Sequence, residues 1–533
     1  MAGCSFARRP SNAFRRAPAR PPRWARRGGP LAWAPALAGA LGLGFLAAAP
    51  IALARPLGAT ECSDAIDNDA DGFIDLADAG CLADLLRDDE TGELVVNSTL
   101  DAIDANPGDG LCQTQLMGEC TVRAAIMEAN ASPGKQGVQV PTGTFELTIA
   151  PVGASPGSAD GDLDIAGDLV LIGAGAENTR IGGTSELSLF SDRIFEILPA
   201  TQVTISGVTA QYAGAYDGGG IFNAGTLALM NTRVSGNRAY DTGGGIYDVG
   251  TLTITNSTIS WNYTPYNGGG IFIQSGGTLT LVDSAVSGNS NSYYADGGAG
   301  IFSEGTATLT NSTVSGNYAL ASGGGGIDNR GIMALTNSTV SGNYAKYGGG
   351  GIVNTSTLSL MNSSVSGNEA YYVSGDGIFN WGSGQTQLIS SLIAANGDEN
   401  CGCFFGGSPM PCDSFIDSNG HNLSDDTTCF AAVGTDLVVA DAMLGPLADN
   451  GGPTDTHDLL PGSPAIDTGD DASCPATDQR GEARPFDGDG DGIAHCDIGA
   501  VEFVPEPSGW LLLASGAGAL VGLRRARRRR SGD

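Results

Sequence analysis

Two acidic strings have the spacing of ligands for a metal ion. Alternate residues from 67 to 71 are Asp, followed by a glycine and a further Asp, and residues 487 to 492 alternate Asp and Gly with another Asp at 497. Alternating carboxylates around a glycine turn direct several hard oxygens at one centre, so we predict a structural Ca2+ ion in at least one string. The alternative is a solvated acidic turn. The candidate ligands are Asp67, Asp69, Asp71, Asp75, Asp487, Asp489, Asp491 and Asp497.

Aromatic residues recur at a second set of positions. They follow the asparagine that ends a repeated Asn-Ser/Thr-x-Val-Ser-Gly-Asn motif between residues 205 and 396. Exposed rings of this kind stack on sugars or on other proteins, and the alternative is that they cover a bend of the chain. The candidate ligand-binding residues are Tyr263, Tyr293, Tyr294, Tyr318 and Tyr344.

These residues lie on an internal repeat. Each copy contains a glycine run that ends on an isoleucine, then an alternating apolar segment, then the motif. The successive isoleucines are 25, 25, 30, 26, 25 and 26 residues apart. Such a period indicates one supersecondary unit stacked on copies of itself. The isoleucines are Ile221, Ile246, Ile271, Ile301, Ile327, Ile352 and Ile378.

The repeat from Gly268 to Asn289 shows what one unit must be. It holds three short runs with the period-2 alternation of strands and no 3.6-residue period. We therefore predict an all-β fold, a right-handed parallel β-helix solenoid of roughly ten coils of about 25 residues, with adjacent strands about 4.8 Å apart. Equivalent apolar residues such as Leu227, Leu252 and Leu279 should stack inwards. The asparagine that ends the motif is expected to make a tight bend, because Asn tolerates a positive φ.

An enzyme on this scaffold would need a constellation that breaks the repeat. Polysaccharide lyases use a Lys or Arg base beside Ca2+-held carboxylates, and glycoside hydrolases use close carboxyl pairs. Residues 205–396 contain four basic side chains and no histidine, which argues against an enzyme. Four Asp residues before glycine runs could form a row, which we interpret as solvated bends. They are Asp217, Asp241, Asp296 and Asp376.

The charge of the chain limits its partners. The formal net charge is −32, and residues 1–54 carry eight Arg and no acid, while the last ten carry six Arg and one Asp. Removing both ends leaves 12 basic and 57 acidic residues, about −45. Such an acidic chain is not expected to bind nucleic acid or anionic membranes.

Ten of the eleven cysteines lie outside the removable leader and cluster near the ends of the repeat. An even, clustered set in an exported chain indicates disulfides that staple the caps, with metal binding near Cys401 and Cys403 as the alternative. The pairing among Cys401, Cys403, Cys412 and Cys429 stays open. The predicted pairs are Cys62 with Cys81, Cys112 with Cys120, and Cys474 with Cys496.

Both termini have the pattern of sorting signals. Residues 1–54 are basic, then apolar, and end on Ala52-Leu53-Ala54, which predicts a signal peptide for signal peptidase. The other end has Pro505-Glu506-Pro507, about 14 apolar residues and an Arg tail. It resembles the PEP-CTERM signal, which implies an exosortase as processing partner, a transient inner-membrane anchor, and export to the outer surface or extracellular matrix of a Gram-negative bacterium. A permanent tail anchor is the alternative.

Three further resemblances concern internal segments. Cys120 to Ile126 is similar to the CSLREA-type module of exported bacterial β-helix proteins, although Ala124 replaces the glutamate of that motif, and its apolar pattern predicts a short capping helix. The segment from residue 445 to 503 resembles a choice-of-anchor region, and the coils resemble repeats of polymorphic outer-membrane proteins. The acidic strings look like thrombospondin type 3 or dockerin-like calcium loops.

We therefore divide the chain into a signal peptide (1–54), an acidic Cys-paired segment (55–100), an N-terminal cap (101–137), the β-helix (138–397), a Cys-rich C-terminal region (398–503) and the sorting signal (504–533). The functional hypothesis is a non-enzymatic surface or matrix protein for adhesion, matrix structure or binding of exopolysaccharide or surface proteins. The alternative is a polysaccharide lyase or glycoside hydrolase.

Overall fold

A computed structural model describes residues 94–152, 159–185, 189–292, 297–321, 323–372, 375–431 and 434–505. The signal peptide, and Glu506 and Pro507 of the sorting signal, lie outside these residues. So does the first acidic string, with Asp67, Asp69, Asp71 and Asp75. The predicted disulfide between Cys62 and Cys81 also falls outside the described residues. The pairing of Cys62 with Cys81 therefore stays a prediction.

In the described residues the coils form three long sheets and one short corner sheet, and a two-stranded antiparallel sheet follows them. The first sheet comprises Leu94–Val95, Gln136–Val140, Leu169–Gly173, Gln202–Ser206, Thr226–Met230, Thr251–Thr255, Thr278–Val282, Thr306–Thr310, Ile332–Thr336, Thr357–Met361, Gln385–Ile389 and Ile416–Ser418. The second comprises Gly143–Glu146, Thr179–Gly182, Thr209–Gln211, Arg233–Ser235, Thr258–Ser260, Ala285–Ser287, Thr313–Ser315, Thr339–Ser341, Ser364–Ser366, Leu392–Ala394, Leu423–Ser424 and Leu437–Val438. The third comprises Leu163–Ile165, Phe195–Ile197, Ile221–Asn223, Ile246–Asp248, Ile271–Ile273, Ile301–Ser303, Ile327–Asn329, Ile352–Asn354, Ile378–Trp381, Cys401–Phe405 and the antiparallel Ser408–Pro409. The corner sheet comprises Gly214–Ala215, Arg238–Ala239, Tyr263–Thr264, Ser290–Asn291, Tyr318–Ala319, Tyr344–Ala345 and Glu369–Ala370.

The register of the strands on successive coils confirms the predicted parallel β-helix. Ile221 pairs with Ile246 and Ile246 with Ile271 in parallel strands, and all three side chains are buried. The leucine ladder at 227, 252 and 279 forms in the same way in the first sheet. The corner sheet is an element that the three-run interpretation of the repeat did not include.

Several positions of the repeated motif have a structural role that recurs from coil to coil. The prediction that its last asparagine makes the bend is wrong. The preceding glycine takes the positive φ, +66° at Gly236, and so does the first asparagine of the motif, +45° at Asn256. The Ser/Thr hydroxyl accepts the backbone N–H of the previous coil, as Ser284 does from Ser257 at 3.0 Å. These contacts repeat from coil to coil and fix the register.

The last asparagine of the motif forms a buried ladder inside the coils. Both the backbone N–H and the side-chain Nδ2 of Asn262 donate to Oδ1 of Asn289, each at 3.0 Å. Asn289 in turn donates to Asn317 and to the carbonyl of Ile259. Each amide is buried and its polar atoms are paired, so the side chain holds successive coils together without leaving a buried polar atom unsatisfied.

A second internal row of asparagines is interrupted by an acid. Asn223 donates to Oδ1 of Asp248 on the next coil, whereas the following coils carry Ile273 and Ser303 at this position. Asp248 is fully buried, and its Oδ2 has no hydrogen-bond partner in the part of the chain that the structure describes. Burial raises the pKa of Asp248 to about 6.

We expect Asp248→Asn to stabilise the protein in a pH-dependent way. The native pKa lies above the ordinary value of 3.8, so the penalty grows as pH rises from about 4 to about 6 and is complete above that range. The difference between these two pKa values corresponds to about 3 kcal/mol at pH 7. Urea unfolding at pH 4 and pH 7 should show the gain at pH 7 alone, and the exposed Asp398→Asn should change neither midpoint. An equal gain at both pH values would contradict the role of ionisation.

The N-terminal end of the core is closed by the predicted helix, Val122–Ala131. Thr121 begins it as N-cap, because its hydroxyl accepts the backbone N–H of Ala124 at 3.1 Å. The apolar face of the helix, including Ile126 and Ala129, is buried in the main core. Among the described residues no helix is long and apolar enough to cross a membrane.

The described part of the chain contains four disulfides, which lie near the ends of the coils. Two of them, Cys112–Cys120 and Cys474–Cys496, are pairs that the sequence predicted. The four remaining cysteines of the described residues also pair as disulfides. Cys401 and Cys403, which lie on a strand of the third sheet, are therefore disulfide-bonded and are not metal ligands in this structure. These bonds are Cys401–Cys429 and Cys403–Cys412.

The C-terminal region does more than cap the end. Residues 401–424 continue the coils, but residues 444–503, which include the antiparallel pair Leu444–Ala448 and Thr456–Leu459, lie along the outside of the second sheet. Gln479 bonds to the hydroxyls of Thr313 and Thr339 on adjacent coils, and His457 Nε2 lies 2.8 Å from Ser341 Oγ. These contacts join the C-terminal region to polar side chains on two adjacent coils.

Candidate functional site

The outward face of the third sheet carries an aromatic ladder. Phe222, Tyr247, Phe272 and Phe302 occupy the middle position of four successive strands. Their ring centroids are 5.3, 5.0 and 5.0 Å apart, with interplanar angles of 9°, 1° and 11°. Each ring therefore lies face to face with the next one.

Arginines cover both ends of this ladder. The guanidinium carbon of Arg193 lies 5.2 Å from the Phe222 ring, and that of Arg330 lies 4.5 Å from the Phe302 ring. Cation–π contacts of this kind stabilise an aromatic face. Because the ring faces are occupied by other rings or by guanidinium groups, the ladder serves packing rather than stacking on a sugar.

The aromatic ladder ends at Phe302, and a groove of about 630 Å3 lies beyond it. Asp328 and Val353 replace the aromatic residue on the next two strands. Asp328 is buried and its Oδ2 pairs with Arg330 Nη2 at 3.1 Å. We call this the Trp381 groove. Its lining residues are Gly323, Asp328, Arg330, Tyr347, Gly348, Val353, Thr355, Phe379, Trp381 and Phe404.

Exposed aromatic surface distinguishes this groove from the ladder. Trp381 is 51% exposed and stacks on Phe404 with centroids 5.0 Å apart, while Tyr347 is 43% exposed. Gly348 is needed beside them, since a Cβ there would lie 2.9 Å from the Phe379 ring. The groove thus combines available ring faces with the Asp328–Arg330 ion pair, in which the carboxylate is buried, and with the Thr355 hydroxyl.

Three of the five tyrosines predicted to bind ligand, Tyr263, Tyr318 and Tyr344, lie on the corner sheet. Tyr318 and Tyr344 stack with centroids 4.4 Å apart, and Arg238 lies 5.1 Å from the Tyr263 ring. Tyr293 and Tyr294 lie outside the described residues. Ligand binding at this corner stays a prediction.

The row of acids before the glycine runs makes hydrogen bonds within and between coils. Asp217 Oδ1 accepts from the backbone N–H and the hydroxyl of Thr242 on the next coil. Asp376 is buried and accepts backbone N–H groups from residues 398 and 399. Asp296 lies outside the described residues. The described acids of this row lie in bends as predicted, but the interpretation as solvated is wrong for Asp376, because its carboxylate is buried against backbone N–H groups.

The second acidic string is partly assembled into a cluster. Carboxylate oxygens of Asp467, Asp487 and Asp489 lie within 4.8 Å of one another, and this oxygen set fits the ligand preference of Ca2+. Asp491 instead accepts the backbone N–H of residue 493. Asp497 is buried and accepts backbone N–H groups of residues 467 and 503. Calcium binding stays a prediction, with Asp467 as a group that the alternating pattern did not indicate.

A further carboxylate cluster lies at the start of the third sheet. Oxygens of Asp162, Asp164 and Glu196 are within 4.8 Å of one another, and Arg193 pairs with both Asp162 and Glu196. Burial, with Asp164 as the next contribution, raises the pKa of Asp162 to about 8. A carboxyl group that stays protonated at neutral pH has the property required of a general acid.

Sequence reasoning missed both the groove and this cluster. A signal for the groove was present, since the residue after the repeated isoleucine is aromatic in four successive copies and becomes Asp at 328. The acids at 162, 164 and 196 precede the clear repeats, so no periodic pattern marked them.

Comparison with known proteins places the fold among β-helices. Residues 176–314 match the family model described as right handed beta helix region. A crystal structure of the pectate lyase Pel9A aligns over 78% of this chain and 97% of that chain, with 14% identity and a TM-score of 0.38. The comparison with curated proteins returns no match. The family match and the register of the sheets together identify an all-β, right-handed parallel β-helix solenoid.

Proposed function

We propose that this protein is an exported, non-enzymatic β-helix of the cell surface or extracellular matrix that binds polysaccharide in the Trp381 groove. The observation that carries the proposal is the exposed Trp381 ring beside the Asp328–Arg330 pair in a groove of about 630 Å3. Sugar rings present apolar C–H faces and polar hydroxyl edges. A groove with aromatic faces and a few polar groups complements both.

The Trp381→Ala variant tests this proposal. We expect it to weaken polysaccharide binding about tenfold, corresponding to about 1.4 kcal/mol of lost stacking, while the protein stays folded with a melting temperature lowered slightly by loss of the Phe404 contact. Trp261→Ala is the matched control, because Trp261 is 73% exposed but does not line the groove. Retention on immobilised acidic and neutral polysaccharides would measure the effect. Equal retention of the two variants would refute the groove as the binding site.

Export and sorting belong to the same proposal. They are supported by the pattern of residues 1–54, by the Pro505-Glu506-Pro507 signal with its apolar segment and Arg tail, and by the four disulfides among the described residues, which suit an oxidising compartment. Signal peptidase and an exosortase would process the two ends, and the chain would pass through a transient inner-membrane anchor on its way out.

One observation favours a second candidate, a glycoside hydrolase. The Asp162 cluster offers a protonated carboxyl beside other carboxylates, as acid and nucleophile or base require. The burial of Asp162 and Asp164 limits access by substrate. The retention assay would therefore also be analysed for new reducing ends. Reducing ends that disappear in Asp162→Asn would establish the enzyme and replace the non-enzymatic proposal.

A further inference from the structure

We infer that the ligand of the Trp381 groove is an anionic polysaccharide, one whose sugars carry carboxylate groups, a conclusion that rests on the proposed binding function. The relevant feature is the position of positive charge. Residues 205–396 contain nine acidic and four basic side chains. Two of those four, Arg330 and Lys346, lie in or beside the groove.

The charge of Arg330 is more accessible from the groove than the charge of Asp328, its ion-pair partner. The Arg330 side chain is 34% exposed, whereas that of Asp328 is 2% exposed. Asp328 is the one acidic residue among those that line the groove. Its charge is offset by Arg330, and its side chain is less exposed to solvent than that of Arg330. The guanidinium is anchored by this pair and by the Phe302 ring, which leaves a pre-organised cation on the groove wall.

Lys346 adds a second cation at the rim. Its Nζ lies 5.7 Å from the Tyr347 ring and 5.9 Å from the Tyr372 ring, and Tyr347 itself lines the groove. Tyr372 is 61% exposed. Cations beside exposed rings are suited to a ligand that has both an apolar ring face and a negative group.

Neutral sugars would gain nothing from this concentration of positive charge. In a chain of net charge −32, an anionic polymer is repelled from most of the surface and is attracted where cations cluster. A carboxylate can accept charge-assisted hydrogen bonds from a guanidinium, which are roughly twice as strong as neutral ones. The charge pattern therefore selects both the class of polymer and its place of contact.

The test compares two polymers with the same backbone, in which a charged carboxylate is exchanged for a neutral hydroxymethyl group. The full protein would be titrated with alginate and with alginate whose carboxylates have been reduced to primary alcohols. We expect binding to alginate at least about tenfold tighter than to the reduced polymer, and a fall in alginate affinity as salt is raised. Lys346→Gln should weaken alginate binding about threefold to tenfold. Lys135→Gln, which removes the other lysine in the chain, should leave it unchanged.

The outcomes separate this inference from the proposed function. Equal, salt-independent binding of both polymers that is lost in Trp381→Ala would overturn the anionic specificity and leave the groove as a sugar site. Equal losses in the two lysine variants would also overturn it, since the effect would then reflect overall charge. Binding of neither polymer, nor of any neutral polysaccharide, would overturn the binding function and the inference together.

Discussion

Replacing Arg123 by Met is expected to lower the free energy of unfolding by about 3–5 kcal/mol, because it leaves a buried carboxylate without its counter-charge. The Arg123 and Asp101 side chains are both fully buried and pair at 2.6 Å. Arg123 also donates to the carbonyls of Gly161 and Asp162. One guanidinium thus joins the capping helix to the segment before it and to the first coil.

Asp101 explains why the loss would spread beyond one ion pair. Its Oδ2 also accepts the backbone N–H groups of Thr148 and Ile149. Without Arg123 this carboxylate is left with backbone donors alone in a site that excludes water. The cap would then detach or admit water, and either result exposes the apolar end of the core.

Urea unfolding of three variants would measure this effect. Arg233→Met is the matched control, since Arg233 is 38% exposed and pairs with an exposed Glu177, so its loss should cost less than about 1 kcal/mol. The double variant Arg123→Met with Asp101→Asn should recover part of the loss by removing the stranded charge. A cost for Arg123→Met no greater than that of the control would show that the pair does not hold the cap.

The repeat made the core predictable and left the surface unpredictable. Inward positions such as Ile246 and Leu252 face an equivalent environment on every coil, so period alone identifies them. The Trp381 groove combines residues from 323 to 404, which become neighbours only through the register of successive coils. A one-copy change such as Asp328 carries little periodic signal, although it marks where the surface departs from packing.

The C-terminal region illustrates a different limit. Its contacts with the second sheet join Gln479 to Thr313 and Thr339, and His457 to Ser341. Polar pairs of this kind leave no hydrophobic pattern in the sequence, since Ser and Thr at these positions are equally suited to solvent. The wrong prediction for the last asparagine of the motif has a related cause. An Asn that makes a turn and an Asn in a buried ladder recur with the same spacing, so the sequence does not distinguish them.

Asn289→Ala is expected to lower the free energy of unfolding by about 3–5 kcal/mol, because two buried donors of Asn262 and the carbonyl of Ile259 would lose their hydrogen-bond partner. Asn289 lies in the middle of the asparagine ladder, and its own side-chain donor to Asn317 is lost as well. Nothing of similar shape replaces the amide, so the site also loses packing.

Asn256→Gly is the control for this last variant. Asn256 belongs to the same repeat, is exposed and has a φ of +45°, which glycine adopts without strain, so its replacement should change stability by less than about 0.5 kcal/mol. Chemical denaturation of both proteins would give the comparison. A large loss for Asn289→Ala alone means that internal amides, as much as aliphatic ladders, hold the coils in register. Equal small changes would mean that the aliphatic ladders suffice and that the buried asparagines only satisfy the turn beside them.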